Sequence, residues 1–496
     1  MNVSRRWFIG GAASFGALQG CKVFRDPAGL FGAGRPNLRF GVISDIHIIA
    51  QNVDKGHQGN TRTLEHAFRW FDAQGVDGVM IAGDMADAGL VSQLQCVADA
   101  WYKVFPNDEG ADGRHVEKLF VYGNHDWEGC FYGYDIYGKK SGDLTSDHIR
   151  RFGMKKAWER IFNEEYTPIY RKTVKGYDFI GAHWDGNNGM FDWGGSKTVE
   201  KWFAEHGKSL DPKLPFFYFQ HPHPKDTCYG SWAWGHDSGK VTKALSAYAN
   251  AVAFSGHSHY TLTDERSLWQ GAFTSVGTSS LRYTGMPYNA RMPLGYENTT
   301  TEGKQAAELD ALKVLGRFAD AGDCRQGMVW NIYDDRIVVQ RREFLNDVFV
   351  GPDWVMPLTT AEAKPFEFAS RAKKAKAPEF AKDAKIVAQK VKAKTRATAG
   401  HPAVEKDAVA FDIPPALAVA GARPHEFEIL AKGAEGKTAV FHVVANGFNH
   451  ALSHKRASAP TPFKVALDRL PAGTTALEVR PLDCWWNKGA PLVVEI

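Results

Sequence analysis

The sequence predicts an α/β core that contains parallel strands, followed by an all-β sandwich at the carboxyl end. Short apolar runs, too short for helices, alternate with segments of helical spacing over residues 38–254, a pattern typical of strands connected through helices. After residue 357 the pattern changes to short alternating strands separated by turn signals, as in β-sandwiches. We therefore expect an N-terminal segment over 1–36, an α/β domain over 37–357 and a β-sandwich over 358–496.

The length and composition agree with two large folded domains. The chain has 496 residues, of which 44% are hydrophobic and 23% are charged, and this excludes disordered, collagen-like and membrane-spanning proteins. A formal net charge of +4 gives no global attraction to polyanions, so no specific nucleic-acid recognition is expected. Six cysteines without a CxxC pair exclude a disulfide scaffold and a structural zinc site of the finger type.

The first residues are predicted to be an export signal. Ser4-Arg5-Arg6-Trp7-Phe8 precedes a mild apolar run that ends near Leu18 and is too short to span a membrane. The paired arginines resemble a twin-arginine (Tat) signal. Leu18-Gln19-Gly20-Cys21 resembles a lipobox, whose cysteine carries a lipid after cleavage. We expect export by the Tat route to the periplasm or cell envelope, with a lipid anchor at Cys21 or, as the alternative, free export.

Several apolar runs in the α/β domain are predicted to be strands. The five that matter most are 38–44, 76–81, 118–122, 215–219 and 251–254. Between the first two, residues 61–74 place Leu64, Phe68 and Phe71 at helical spacing. Further on, the runs 328–333 and 336–340 flank Asp334-Asp335, which predicts a β-hairpin.

The carboxyl-terminal region is predicted to be a small β-sandwich. Its strands are expected at 425–431, 438–445, 463–467 and 476–479. The segment 470–483 resembles the closing strands of fibronectin type III or immunoglobulin-like modules. The segment 371–396 contains ten Lys and Arg residues against two acids, and we expect a solvated face there, with contact to an anionic envelope surface as the alternative.

Each of the five N-terminal strands is followed by residues that bind metals. The motifs are Ser44-Asp45-Ile46-His47, Gly83-Asp84-Met85-Ala86-Asp87, Gly123-Asn124-His125-Asp126, Gln220-His221-Pro222-His223 and Gly256-His257-Ser258-His259. Ligands gather at the carboxyl ends of strands in α/β sheets, so the five ends can form one cleft. Carboxylates and imidazoles suit manganese, zinc or iron. Seven ligand side chains exceed the need of one tetrahedral ion, so two divalent or trivalent ions sharing a ligand are expected.

The ordered set of five motifs resembles the calcineurin-like metallophosphoesterase superfamily over about residues 38–357. The resemblance implies a four-layer α/β/β/α sandwich with a dinuclear metal site. It implies that the first ion is bound by Asp45, His47 and His259. The second ion would be bound by Asn124, His221 and His257, and Asp84 would bridge the two ions. His125 would lie beside the scissile phosphate without binding metal, oriented by Asp126. In the fourth motif, His223 is the alternative to His221.

This set of residues predicts hydrolysis of a phosphate ester by a hydroxide bound between two ions. His125 is the expected proton donor to the leaving group, with a purely structural role as the alternative. Asp87 either supports the site or is an ordinary turn acid. A phosphodiester substrate is slightly favoured over a phosphomonoester, because no Arg or Lys cluster near the motifs marks a terminal dianionic phosphate. The alternative function is a catalytically silent binding or scaffold protein of the cell envelope.

Aromatic residues near the motifs are candidates for a substrate pocket. The candidates are Trp127, Trp184 and Trp232, together with His223. Rigid aromatic walls can stack a nucleobase or sugar, or hold an acyl chain, although loop tryptophans also simply pack. The segment 301–319 has helical spacing and could cap the cleft, with core packing as the favoured account.

Overall fold

The computed structural model describes residues 34–49, 60–131, 145–184, 198–230, 235–285, 324–358, 364–394, 404–419 and 423–496. The expected export signal, Cys21, Trp232 and the segment 301–319 lie outside these residues. Within the described ranges, no helix combines the length and the apolar character that crossing a membrane requires.

The α/β domain is built from thirteen described strands and seven described helices. The strands are β1 (Leu38–Ile43), β2 (Gly78–Ala82), β3 (Glu117–Val121), β4 (Ile169–Val174), β5 (Tyr177–Ala182), β6 (Phe216–Phe219), β7 (Ala251–Ser255), β8 (Leu268–Gln270), β9 (Thr274–Gly277), β10 (Gln326–Ile332), β11 (Arg336–Glu343), β12 (Val348–Phe349) and β13 (Trp354–Pro357). The helices are α1 (Asn60–Gln74), α2 (Val91–Val104), α3 (Asn124–Glu128), α4 (Ile149–Phe152), α5 (Met154–Phe162), α6 (Thr198–His206) and α7 (Lys240–Leu245).

These strands form two sheets. The first has the order β12-β11-β10-β1-β2-β3, with β13 also paired to β11, and its strands β1, β2 and β3 are parallel. The second has the order β4-β5-β6-β7-β9-β8, with β5, β6, β7 and β9 parallel. The five predicted strands are confirmed, three in the first sheet and two in the second. The predicted hairpin is confirmed as the antiparallel pair β10-β11.

The two sheets pack face to face, and helices cover both outer faces. Alternate side chains of a strand point to opposite faces, so Phe40 and Val42 of β1 enter the core between the sheets, while Ile43 faces the helices. Phe40 meets Phe217 of the second sheet with ring centroids 4.8 Å apart. Helices α1, α2 and α5 cover the first sheet, and α6 and α7 cover the second. The four-layer α/β/β/α sandwich is therefore confirmed.

The carboxyl-terminal region consists of antiparallel sheets. Its elements are α8 (Phe368–Lys374), β14 (Glu379–Phe380), β15 (Gln389–Lys394), β16 (Glu405–Ile413), β17 (Ala416–Leu417), β18 (Glu426–Lys432), β19 (Thr438–Val444), β20 (Thr461–Ala466), β21 (Ala476–Leu482) and β22 (Leu492–Glu495). The sheets β15-β16-β20 and β19-β18-β21-β22 share one apolar core that includes Phe411, Phe427 and Val479. The predicted all-β sandwich is confirmed, and the likeness to fibronectin or immunoglobulin modules stays a prediction.

Candidate metal centre

The five motifs meet at the carboxyl ends of strands from both sheets. Backbone hydrogen bonds join their loops: the amide of Asp45 donates to the carbonyl of Gly83 at 3.0 Å, and the amide of Gly256 donates to the carbonyl of His221 at 2.9 Å. The strands end side by side in each sheet because they are parallel. The motifs therefore form one cluster at a common end of the sandwich.

Four side chains converge in the first part of this cluster. His259 Nε2 lies 3.1 Å from Asp45 Oδ1 and 3.0 Å from His47 Nε2, and His47 Nε2 lies 3.5 Å from Asp84 Oδ2. Two atoms that bind one ion at about 2.1 Å are separated by about 3.0 to 3.4 Å in common coordination geometries. The spacing therefore suits a shared ion.

Asp84 also belongs to a second group, which contains His221 and His257. His221 Nε2 lies 3.0 Å from Asp84 Oδ2. His257 Nδ1 lies 2.8 Å from Asn124 Oδ1, which brings the amide of Asn124 into the same group. Asp84 is thus the residue shared by both groups, as a bridging ligand must be.

The polar atoms of the cluster fit a pair of cations. His221 Nδ1 donates to the carbonyl oxygen of Ala82 at 2.7 Å, so in the neutral form of the ring Nε2 carries the lone pair. That Nε2 is buried and makes no hydrogen bond to any described residue, although carboxylate oxygens of Asp84 and Asp45 lie 3.0 and 3.8 Å away. A lone pair that faces carboxylates is stabilised by a cation between them. The carboxylate, amide and imidazole donors suit manganese, zinc or iron.

Charge in the cluster favours cations. Burial lowers the pKa of His47, but the carboxylates of Asp45 and Asp87 outweigh it and raise the pKa to about 9. Burial also lowers the pKa of His221, but the charge of Asp84 outweighs burial and raises this pKa to about 9. Burial, followed by the charge of His221, lowers the pKa of His257 to about 3. The carboxylates are thus the strongest local charges, and they attract positive charge.

The expected ligands carry left-handed backbone conformations. The φ angles are 51° at Asp45, 47° at His47, 54° at Asp84, 71° at His257 and 57° at His259. Residues other than glycine adopt this region infrequently, at a cost of about 1–3 kcal/mol each. Such strain persists where the surrounding structure enforces it, and its concentration at five expected ligands supports a functional role for this cluster.

Two glycines leave room for the carboxylates. A Cβ atom at Gly123 would clash with Asp84 Oδ1, and one at Gly256 would clash with Asp45 Oδ2. Each glycine directly precedes an expected ligand, Asn124 or His257. This steric conflict explains why glycine, and no residue with a Cβ atom, precedes Asn124 and His257.

Asp126 does not orient His125 as the resemblance implied. Its Oδ1 accepts a hydrogen bond from the amide of Ala86 at 2.7 Å, and its Oδ2 accepts one from the amide of Gly123 at 2.7 Å. His125 Nδ1 instead donates to the backbone carbonyl of Asp87 at 2.8 Å. That expectation is wrong, because the carboxylate of Asp126 serves to join two motif loops. Burial and the nearby charge of Asp84 raise the pKa of Asp126 to about 7.

Asp87 supports the site, and Arg282 is a residue that the sequence reasoning missed. Asp87 Oδ1 lies 3.1 Å from His47 Nδ1, and the same oxygen pairs with the guanidinium of Arg282. Arg282 follows β9, the run Thr274–Gly277, which is too short and polar to read as a buried strand. If β9 had been predicted as a strand, residues 278–283 would have been expected to form a further loop beside the cleft.

His223 is neither a ligand nor part of a pocket wall. It is 1% exposed, and its Nδ1 and Nε2 lie 2.7 and 2.6 Å from the hydroxyls of Ser255 and Ser258. Both ring nitrogens are occupied by these hydrogen bonds. The sequence expectation that placed His223 among the pocket candidates is therefore wrong, and its role is structural.

The tryptophan candidates have different surroundings. Trp184 lies against the cluster, with its ring centroid 5.7 Å from that of His257. Trp127 is partly buried against the core of the first sheet and its helices, and the guanidinium of Arg150 lies 4.5 Å from its ring centroid. Trp232 lies outside the described residues. The structure thus brings Trp184, but not Trp127, against an expected ligand.

Comparisons with known proteins give one family match and several similar solved structures. Residues 38–261 match the family model described as calcineurin-like phosphoesterase. Among solved structures, the chain is similar to a dimetal phosphatase from Danio rerio (12% identity, covering 65% of this chain and 100% of that chain, TM-score 0.34). It is also similar to a purple acid phosphatase from yellow lupin, Lupinus luteus, seeds (13% identity, covering 65% of this chain and 55% of that chain, TM-score 0.40).

A third similar structure is Vps29 complexed with zinc from Entamoeba histolytica (8% identity, covering 65% of this chain and 100% of that chain, TM-score 0.24). No curated protein matches the chain. The family match covers less than half of the chain and includes all five motifs, from Asp45 to His259.

Proposed function

We propose that the protein hydrolyses phosphate esters with two metal ions held in this cluster. The observation that carries the proposal is the position of Asp84, whose Oδ2 lies 3.5 Å from His47 Nε2 and 3.0 Å from His221 Nε2. We propose that Asp45, His47 and His259 would bind the first ion and that Asn124, His221 and His257 would bind the second. Asp84 would bridge the two ions. Two ions would lower the pKa of a water and neutralise charge on phosphate oxygens.

Hydrogen bonds outside the ligand set orient two of the proposed ligands. His47 Nδ1 donates to the carboxylate of Asp87, and His221 Nδ1 donates to the carbonyl of Ala82. Each leaves Nε2 as the atom that can bind an ion. Partners of this kind fix the tautomer and raise the basicity of ligating histidines. Asp87 and the backbone of Ala82 are therefore proposed positioning groups.

His125 is the proposed proton donor. Because its Nδ1 is held by the carbonyl of Asp87, Nε2 is the atom that exchanges a proton with the substrate. In the reaction, a water oxygen forms a bond to phosphorus, the ester P–O bond breaks, and the leaving oxygen takes a proton from His125, which the proton released by the attacking water replaces. A positioned acid typically contributes about 10²- to 10⁴-fold to the rate.

The slight preference for a diester stays a prediction. It rested on the lack of an Arg or Lys cluster near the motifs, and one arginine, Arg282, pairs with Asp87 beside His47. We therefore propose phosphate esters as the substrate class. The release assay compares hydrolysis of a monoester with that of a diester.

A release assay tests the proposal. Protein reconstituted with manganese or zinc is incubated with bis-p-nitrophenyl phosphate and with p-nitrophenyl phosphate. We expect p-nitrophenolate release that EDTA abolishes and added metal restores, and that the Asp84→Asn variant lacks. A metal-loaded protein that hydrolyses neither ester would contradict the proposal and favour the silent scaffold.

We further propose that the protein acts in the periplasm or cell envelope. The support is the pair Arg5-Arg6 and the lipobox-like segment that ends at Cys21. Cell fractionation of wild type and Cys21→Ser tests this. We expect wild type with the membranes and the variant in the soluble exported fraction; retention of both inside the cell would contradict it.

A further inference from the structure

One carboxylate oxygen joins three groups at the edge of the metal cluster. Asp87 Oδ1 lies 3.1 Å from His47 Nδ1 and 3.9 Å from His125 Nδ1, and it pairs with Arg282 Nη1. The guanidinium of Arg282 therefore lies next to the proposed proton donor and next to a proposed metal ligand. A phosphate bound beside His125 would therefore lie near this arginine.

The loop that carries Arg282 is fixed to the loop that carries Asp45. The amide of Arg282 donates to Ser280 Oγ at 2.9 Å, and Ser280 Oγ donates to the carbonyl of Asp45 at 3.0 Å. On the other side of Arg282, the ring of Tyr283 lies 4.5 Å from that of His259. The position of Arg282 relative to the cluster is thus set by the same loops that hold the ligands.

The guanidinium keeps donors for a ligand. The side chain of Arg282 is 30% exposed, whereas that of Asp87 is 8% exposed. Among the described residues, Asp87 Oδ1 is the one acceptor that the guanidinium contacts. Because an arginine offers five N–H donors in a planar fork, most of them remain for an anion in the cleft.

The charge around Arg282 favours an anion. Asp87 is the carboxylate paired with it, and a second arginine, Arg325, lies close enough that the charge of Arg282 adds to burial in lowering the pKa of Arg325. Arg325 itself is held by Thr63 Oγ1, 2.6 Å from its Nη1. Two neighbouring guanidinium groups and two bound cations would together attract more than one negative charge.

We propose that Arg282 binds the phosphate oxygen that distinguishes a monoester from a diester, so that the preferred substrate carries a terminal, dianionic phosphate. This inference rests on the proposed function. The two ions neutralise non-bridging oxygens, and one further oxygen is charged in a monoester but carries a second ester group in a diester. A guanidinium forms charge-assisted hydrogen bonds with the charged oxygen, and it gains no such bond from an ester.

The experiment compares wild type, Arg282→Gln and Arg282→Lys on p-nitrophenyl phosphate and on bis-p-nitrophenyl phosphate, with metal content measured for each. A hydrogen bond to a charged group is worth about 1.5–3 kcal/mol, or roughly 10- to 150-fold. We expect kcat/KM for the monoester to fall by such a factor in Arg282→Gln. The fold-loss in kcat/KM for the diester should be smaller by a factor of about ten or more. Arg282→Lys is expected to recover part of the loss.

A matched control comes from the helix that begins beside His47. Arg62→Gln removes an exposed arginine from α1 and is expected to leave the ratio of the two kcat/KM values unchanged. Equal losses on both esters in Arg282→Gln would show that Arg282 merely holds Asp87 and would overturn the inference. The same conclusion would follow if Arg282→Gln lost its metal.

Calorimetric binding of inorganic phosphate to the metal-loaded protein separates this inference from the proposed function. We expect the Kd to rise at least roughly tenfold in Arg282→Gln and to be unchanged in Arg62→Gln. If wild type hydrolyses neither ester, the proposed function fails, and a raised Kd would still support the role of Arg282 in anion binding. An unchanged Kd would overturn that role.

Discussion

The side-chain amide of Gln326 donates a hydrogen bond to the carbonyl oxygen of Asn449, 2.8 Å away. This bond joins the α/β domain to the carboxyl-terminal sandwich. On the α/β side, Gln326 Oε1 accepts from the amide of Leu262 at 2.7 Å, three residues after His259. A second bond of the same kind runs from Thr263 Oγ1 to the carbonyl of Phe448 at 2.6 Å. The sandwich therefore contacts the segment that carries two proposed ligands.

We expect Thr263→Val to weaken metal binding through this contact. The variant loses a hydrogen bond across the domain interface, worth about 0.5–1.5 kcal/mol, and frees the segment that follows His259. Manganese binding to the metal-free protein, measured by calorimetry, should weaken by a few-fold, or about 1 kcal/mol.

The matched control for this prediction is Thr474→Val. Thr474 Oγ1 donates to the carbonyl of Pro471 at 2.6 Å, within a turn of the sandwich. The control should lose similar stability without weaker metal binding. Equal metal affinity in Thr263→Val and Thr474→Val would contradict a role of the sandwich at the metal site.

His125→Ala should lower turnover while the protein keeps its metals. The proton donor to the leaving group is lost, so we expect kcat to fall by about 10²- to 10⁴-fold. The measurement is steady-state kinetics together with elemental analysis of the same preparation. Unchanged turnover with full metal content would exclude His125 as the acid.

Asp126→Asn should destabilise the protein without shifting the pH dependence of kcat. The carboxylate accepts amides from Gly123, Met85 and Ala86, and an asparagine cannot accept on both sides, so the unfolding free energy should fall by about 1–3 kcal/mol. Chemical denaturation and a pH–rate profile test both parts. A shifted profile at unchanged stability would restore Asp126 as the partner of His125.

Buried His183 should make the metal-free protein less stable in acid. Burial lowers its pKa from 6.5 to about 3, and its Nδ1 accepts from the amide of Tyr122 at 3.1 Å. The unfolded chain takes up this proton below about pH 6.5 and the folded chain does not, so stability is full above that pH and falls as pH decreases, by about 1.4 kcal/mol per unit.

The comparison for this prediction is His183→Asn, whose side-chain oxygen can still accept the amide. Between about pH 7.5 and 5, denaturant unfolding should show a stability loss that is about 2 kcal/mol smaller in the variant than in wild type. The same loss in both proteins would show that His183 is not neutral in the folded state.

The strands and ligand motifs could be predicted because their signals are local. Each combines a run of apolar residues, buried on both faces, with polar residues at the strand end. The division of the five strands between two sheets could not be predicted in this way, since the pairing of β1 with β10 joins residues almost three hundred positions apart. The hairpin β4-β5 was also missed.

The parts of the site that sequence reasoning missed depend on contacts between distant loops. Asp126 is adjacent to His125 in the chain, yet the helical turn of α3 directs its carboxylate to the amides of another motif. Arg282 lies 195 positions from Asp87, after a strand of four residues. No periodicity or spacing in the sequence links such residues, because tertiary packing alone brings them together.

Elemental analysis of purified protein, metal-depleted and then reconstituted with manganese or zinc, tests the central claim most directly. The geometry of Asp84 between two groups of ligands predicts two ions per chain in wild type and at most one in Asp84→Ala. A wild-type protein that takes up a single ion or none would contradict the dinuclear centre.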